Sequence, residues 1–336
     1  MEIAWLALLG FLLTGYFVLG GYDYGVQMLS IVLARDERDR RRVLGTVGPF
    51  FLGNEVWLVA FAGVLFGAFP FFEGTLLAGM YPLIVVLLVA LVVGNAAVQL
   101  RSRWDTPSSR RFWDRLVAAG GAAPAVVWGV LIGVLLHGVP LGGAGSFVLP
   151  WSTVLDPFVV ACAVSSVALF AAHGATFLVL RSSGALAQRA TATARPLLIA
   201  AAVAVVLTAG VAFGVGSAAP VTNPTVAVLV VAVLVTALVL ARLSLDRNRR
   251  GPAFIASCVA AALPVSLVGA AQYPYLLVST EGPRFGLTVA QGAADAATLV
   301  LLAGFGVVLV PVVLAYQAWS WWLFRGRVDD RVPAYY

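Results

Sequence analysis

The chain has 336 residues, of which 61% are hydrophobic and 11% charged, where an ordinary soluble domain carries about 25% charged residues. Its apolar runs are long enough to cross the ~30 Å hydrocarbon core of a bilayer, which excludes a soluble enzyme and marks an all-α polytopic membrane protein; the alternating ~10-residue strands of a membrane β-barrel are missing. A formal charge of +6 comes from short arginine clusters rather than one basic face, which excludes nucleic acid as a partner.

About nine transmembrane helices are expected in a two-bundle arrangement, over roughly 3–34, 46–69, 74–99, 113–138, 154–180, 196–216, 224–242, 252–277 and 293–324, within one integral membrane domain covering 1–336. All 21 basic residues are arginines. With these spans, twenty of them fall on one side: Arg35 to Arg42, Arg101 to Arg115, Arg181 to Arg195, Arg242 to Arg250 and the tail from Arg325 to Arg331. Only Arg284 falls opposite. By the positive-inside rule the N-terminus is outside and the C-terminus cytoplasmic. The first span is flanked by Glu2 instead of a basic cluster and continues well past signal-peptide length, so it reads as retained.

Span 1 carries Gly15, Gly20, Gly21 and Gly25, small residues that let helices approach closely in lipid. Asp23, between Tyr22 and Tyr24, lies 12 residues before Arg35, roughly 18 Å from the arginine-rich end at 1.5 Å per residue. Span 2 carries Asn54, Glu55 and Trp57; Glu55 lies 13 residues after Arg42, roughly 20 Å from the same end. The two carboxylates therefore share a depth on sequential antiparallel helices. A carboxylate in hydrocarbon costs at least ~2.5 kcal/mol and faces a bundle interior, so Asp23 and Glu55 read either as a protonatable pair or as packing devices that bond neighbouring backbone.

Span 3 is featureless until Gln99. The loop after it places Trp104, Phe112 and Trp113 in the headgroup layer. Span 4 contains Pro124 and ends at His137, read as exposed or interfacial. Span 5 holds Ser165, Ser166 and His173; a lone intramembrane histidine is expected to bond a neighbouring helix rather than a metal. Cys162 and Cys258 read as buried free thiols, too few and too far apart for a disulfide framework or a metal site. Spans 6 and 7, joined by a short loop near Pro220 to Pro224, are almost wholly Ala, Val and Leu and read as peripheral packing helices. The stretch from Ala271 to Leu299 reads as a structured outer cap, with Asp295 at the start of span 9 where a carboxylate suits a helix N-terminus. Span 9 closes with the aromatic run AYQAWSWWLFRGR.

Two intramembrane carboxylates leave a proton-coupled secondary transporter open as an alternative, and a membrane scaffold as another. Against the transporter, the sequence shows no internal repeat of the kind many transporters carry.

Five blocks carry a resemblance: GYFVLGGYDYGVQML, GPFFLGNEVWLVAFAGVLFGAFP, HGATFLVLRSSG, YPYLLVS with GLTVAQGA, and AYQAWSWWLFRGRV. In this order and spacing the chain resembles subunit II of cytochrome bd quinol oxidase. The resemblance implies a bacterial cytoplasmic-membrane terminal oxidase that oxidises quinol and reduces dioxygen to water. It implies haems b and d on a partner subunit I, no haem and no metal held by this chain, no catalytic residue here, and a supporting role that extends to proton delivery. Two histidines and three methionines agree with that, since three haems need more axial ligands. Asp23, Asn54, Glu55 and Trp57 match the family's polar blocks and, with His173, form the candidate site. The sequence departs from the pattern at Leu52, where family members usually carry Asp, and at Gly94 and Gln99, where an Arg and an acidic residue are usual. A structural quinone or lipid within this chain and small accessory subunits stay open, with membrane lipids as surroundings.

Overall fold

The computed structural model describes residues 1–103, 106–215 and 221–328. Trp104, Pro220 and Arg331 lie outside the described residues. Among the described residues, nine helices are long and apolar enough to cross a membrane.

Helix α1 (Glu2–Leu33) runs into the short polar helix α2 (Glu37–Val47), which Asp36 caps by accepting from the Asp39 amide at 2.8 Å. After a turn at Gly48, α3 (Phe51–Ala68) crosses back. The expected third span, 74–99, is in fact the end of one helix and the body of another: α4 (Pro70–Gly79) stops at the buried Met80, and α5 (Tyr81–Leu100) begins there. Pro82 is the cause, because its ring supplies no N–H and disfavours helical geometry in the residue before it. Helix α6 (Pro107–His137) is followed by one short turn, α7 (Trp151–Val154), and then by α8 (Pro157–Arg181).

The expected sixth span, 196–216, starts three turns earlier. Helix α9 (Gly184–Val215) includes the alanine-rich segment around Arg189, and good helix formers carry it beyond the apolar stretch. Helices α10 (Pro224–Asp246) and α11 (Arg250–Gln272) follow. The eighth span ends at Gln272 instead of 277, since Pro274 cannot continue it and the chain turns into strand β1 (Tyr275–Leu277). That strand pairs antiparallel with β2 (Leu287–Thr288), ahead of the capped turn α12 (Val289–Gly292) and the last span, α13 (Ala296–Leu323). Asp295 caps α13, accepting from the Thr298 amide at 3.0 Å.

The helices form two bundles. In the first, α3 packs on α1 and α5 on α6, with α1 against α6; in the second, α8, α9, α10 and α11 pack in a ring. The seam between them is α1 with α6 against α8, and α13 lies outside on α3. Glycines make the seam close. A side chain at Gly25 would overlap the Phe170 carbonyl and the Gly174 backbone, so α1 and α8 touch main chain to main chain; Gly94 and Gly120 do the same for α5 and α6.

The two ends differ. One holds the arginine clusters, tied together by Arg189 to Asp39, Arg42 to the Ser183 carbonyl, and Val328 N–H to the Arg181 carbonyl at 2.8 Å. The other is closed by the β1–β2 hairpin, whose Val278 carbonyl accepts from Val139 at 3.0 Å. This is the expected cap. His137 is buried, in place of the exposed or interfacial position expected: Nδ1 lies 3.3 Å from the Gly138 carbonyl and Nε2 lies 3.7 Å from Asp156. Cys162 is a buried free thiol, while Cys258 is only half-buried.

Candidate functional site

Where α1 faces α3, Asn54 is fully buried and ties four groups together. Its Nδ2 lies 2.8 Å from Asp23 Oδ2, 2.9 Å from the Tyr22 hydroxyl and 3.3 Å from the Leu19 carbonyl. Its Oδ1 accepts from Gln317 Nε2 of α13 at 3.2 Å. Gln317 Oε1 in turn accepts from Trp57 Nε1 at 3.3 Å. The indole of Trp57 covers Gly15, where a side chain would collide with it. Trp57, Gln317, Asn54 and Asp23 thus form one chain of hydrogen bonds across α3, α13 and α1. In hydrocarbon such groups must find partners within the protein.

Glu55, one residue on, turns away by the pitch of the helix and joins a second group. It accepts from the Tyr16 hydroxyl at 3.3 Å and from Asn95 Nδ2 of α5 at 3.5 Å. The Tyr16 hydroxyl also bonds the Tyr24 hydroxyl, with Trp128 edge-on to Tyr16. Asp23 and Glu55 therefore share a depth but bond different partners, so the carboxylate pair expected from the sequence is two adjoining clusters. Tyr22, between them and α8, stacks on Phe177 with ring centroids 4.1 Å apart.

His173 faces the same region from α8. Its Nε2 donates to the Val18 carbonyl at 2.9 Å, and its Nδ1 lies 2.9 Å from the Ser257 hydroxyl of α11. The ring stacks on Phe254 and sits edge-on to Tyr22. It is a cross-bundle fastener, bonded to neighbouring helices as expected. Both nitrogens are engaged, so the side chain has no donor atom left for an iron. Among the described residues no group of three His, Cys, Asp or Glu side chains is placed to hold a metal ion.

The three departures from the family pattern also have places. Leu52 is exposed on the outer face of α3, and Gln99 is exposed on α5. Gly94 lies against the Gly120 backbone and leaves no room for a longer side chain. Among the described residues two arginines, Arg101 and Arg181, are buried elsewhere, and Arg101 sits in an ion network. Its guanidinium spans both Glu37 oxygens at 2.8 Å each and reaches Asp114, which Arg40 also contacts.

Sequence reasoning missed Tyr16, Asn95, Ser257, Gln317 and Arg101 as parts of these networks. Tyr16 lies seven residues before Asp23 on the same helix and could have been found by helical spacing. Asn95 was hidden in a span read as featureless, and Gln317 in what read as an interfacial girdle.

The comparisons with known proteins agree with this architecture. The family model for cytochrome bd terminal oxidase subunit II matches residues 1–324. Cytochrome bd ubiquinol oxidase subunit 2 of Bacillus subtilis is 30% identical over 341 residues, covering 99% of this chain and 98% of the relative. A probable cytochrome oxidase subunit 2 of Haemophilus influenzae is 31% identical over 98% of this chain and 95% of its own. Cytochrome bd-I ubiquinol oxidase subunit 2 of Escherichia coli K12 is 28% identical, with the same two coverages. The solved bd oxidase of Geobacillus thermodenitrificans shares the fold, with a TM-score of 0.72 over 96% of this chain and 98% of the matched chain at 19% identity. A whole-length family match, two full-length relatives at or above 30% identity and the shared fold lead to one conclusion: this multi-pass protein of the bacterial inner membrane belongs to the cytochrome bd terminal oxidase subunit II family.

Proposed function

We propose that this chain is the non-haem subunit of a quinol:oxygen oxidoreductase, packed beside a haem-bearing subunit I, and that its buried polar clusters take part in delivering protons to that partner. Family membership supports the first part, and with it the transporter alternative loses its support. The arginine-rich end faces the cytoplasm in this reading, as the positive-inside rule requires, which places the N-terminus outside.

Haems b and d belong to the partner in this reading. The donor chemistry of this chain supports that assignment. His173 has both ring nitrogens in hydrogen bonds, and His137 is held between Gly138 and Asp156. Met80 is packed in the hydrophobic core. When bound to the partner, the haems supply the electron-transfer and dioxygen chemistry. This chain's own residues position and hold protons: Asn54 fixes the Asp23 carboxyl, while Tyr16 and Asn95 fix that of Glu55.

One observation carries the proton role. Two carboxyl groups sit within membrane-spanning helices, Asp23 held by Asn54 of α3 and Glu55 by Tyr16 of α1 and Asn95 of α5, and among the described residues neither is paired with an arginine or histidine in an ion bridge. Carboxyl groups at this depth are costly and in membrane proteins mark ion or proton paths. The test is quinol oxidase turnover of the purified two-subunit complex carrying Asp23→Asn or Glu55→Gln, at unchanged haem content. Turnover is expected to fall by about 10²-fold or more, the range of a lost proton-transfer group. Turnover unchanged in both variants would sink the proton role. A colourless preparation lacking any larger partner would sink the oxidase reading itself.

A further inference from the structure

The hydrogen-bond chain from Trp57 to Asp23 leaves two acceptors on α1 unmatched. Asp23 Oδ1 is buried with no donor, although Oδ2 is held by Asn54. Gln27 Oε1 is likewise buried with no donor. The residues are 4% and 3% exposed. They stand four residues apart on one helix, so their side chains are neighbours on one face, with Cβ atoms about 5–6 Å apart. Two hydrogen-bond acceptors cannot satisfy each other, and orphaned buried acceptors are rare enough to require a cause.

The helix opposite supplies no donor. Facing Gln27, α6 presents Gly120 and Gly121: a Cβ on Gly120 would lie 3.3 Å from Gln27 Oε1, and one on Gly121 would lie 2.8 Å from Gln27 Cβ. Gly94 of α5 backs onto Gly120. Gly120 and Gly121 thus bring no side-chain donor of their own to Gln27 Oε1. A group that donates two hydrogen atoms to two oxygens at this spacing is a water molecule, and a polar niche with several partners is where buried water resides.

We propose that an ordered water molecule bridges Asp23 Oδ1 and Gln27 Oε1, which makes Gln27 the positioning residue through which protons reach Asp23 from the arginine-rich end. The inference rests on the proton role proposed above and names the entry step. A proton arriving on the water oxygen is matched by transfer of one of the water's own hydrogens to Asp23 Oδ1. The water is regenerated, and its other hydrogen stays on Gln27 Oε1. The next polar group toward the arginines is Ser30, whose hydroxyl donates to the Gln27 carbonyl at 2.8 Å. Gln27 and Ser30 continue the Asp23 cluster by about two helical turns, each ~5.4 Å. This interior path gives the chain a route that does not need a carboxylate at Leu52, which lies on the outer face of α3.

The test uses the assembled oxidase with Gln27→Leu, which keeps the volume and removes the acceptor, and with Gln27→Glu, which keeps an acceptor. Cryo-electron microscopy at water-resolving resolution is expected to show density within hydrogen-bond distance of both oxygens in the unaltered complex and none in Gln27→Leu. At equal haem content, kcat of Gln27→Leu is expected to drop by about tenfold, the effect of ~1.4 kcal/mol on a barrier. KM for quinol stays the same and the solvent deuterium isotope effect increases. Gln27→Glu recovers most of the rate. A purely structural role for Gln27 would lower haem content instead, without moving the isotope effect, and would overturn the inference. So would an absent density in the unaltered complex, or a full rate in Gln27→Leu while Asp23→Asn is impaired; in that last case the proton role of the cluster stands. If Asp23→Asn retains full turnover, this inference fails, and if Glu55→Gln retains it as well the proton role fails with it.

Discussion

The two bundles solve the same problem, crossing a membrane, with opposite chemistry. In the first, α1 and α3 bury a carboxylic residue, an asparagine and three tyrosines, linked to Gln317 and Trp57. In the second, α9 beyond Pro196 and α10 are mostly Ala, Val and Leu, and the polar contacts along these stretches are single hydroxyl bonds: the Ser165 and Thr208 hydroxyls pair at 2.8 Å, and Thr236 bonds its own helix. The second bundle also borders a half-open, largely apolar cavity of about 410 Å³ between α6, α8, α9, α10 and α11. Packing among apolar helices in lipid gains little from the hydrophobic effect, since lipid tails are as apolar as leucine. What orders the first bundle is therefore its internal hydrogen-bond network, and what orders the second is close packing of small side chains. The lesson is that one chain can hold a demanding polar site beside a helical frame that asks only for shape.

Substitutions can break or sharpen that contrast. The largest effect belongs to the seam. Gly25→Leu must push α1 away from the Phe170 carbonyl and the Gly174 backbone. Overpacking costs ~1–3 kcal/mol or more, and here it separates the two bundles. Recovery of intact haem-containing complex after detergent extraction is expected to fall to background, and normal recovery would mean the bundles do not depend on the α1–α8 contact.

Next is Arg101→Ala, which removes the group that joins Asp114 to Glu37 at the arginine-rich end of the first bundle and leaves each with one arginine, Arg40 and Arg41. Removing one partner of a fully buried ion pair typically costs ~3–5 kcal/mol; the cost here is well below that, because Glu37 is a third exposed and Arg40 and Arg41 stay in place. The expected readout is a clear drop in the thermal midpoint of the complex and faster proteolysis around α2; a midpoint within a degree or so of the unaltered complex counts against the network as a clamp.

Third is Asn54→Leu, which leaves Asp23 Oδ2, the Tyr22 hydroxyl and Gln317 without their common partner. A cost of about 1–3 kcal/mol follows from stranding buried polar groups, with loss of turnover alongside it. The smallest effect is Ser165→Ala in the second bundle. Hydrogen bonds between membrane helices average only ~0.6 kcal/mol, so the midpoint barely moves. Should Asn54→Leu prove as mild as Ser165→Ala, the distinction between the bundles collapses.

Much of the architecture was legible without coordinates. Nine spans, the asymmetric arginines and a polar pair at one depth follow from composition and rise per residue, because depth in a membrane is nearly a linear function of position along a helix; the five ordered blocks added a family resemblance. The errors cluster where that linearity fails. Pro82 and Pro274 broke spans that hydropathy ran together, and the alanine-rich start of α9 carried a helix beyond the apolar stretch. His137 read as exposed or interfacial from its place at a helix end, but it is buried beside Asp156 at the start of α8.

The site divides the same way. Sequence alone fixed that Asp23, Asn54, Glu55, Trp57 and His173 belong to intramembrane helices, and at roughly what depth. It could not fix which way each side chain points, because that depends on the neighbour its helix packs against. Only the tertiary structure brought Gln317 to Asn54 across 263 positions and His173 to the Val18 carbonyl across 155. It also sent Glu55 to Tyr16 and Asn95 while Asn54 turned to Asp23. The physical reason is that a hydrogen bond needs its partners at about 3 Å with the right direction, a condition set by helix rotation and crossing, and these arise from packing between segments distant in the chain.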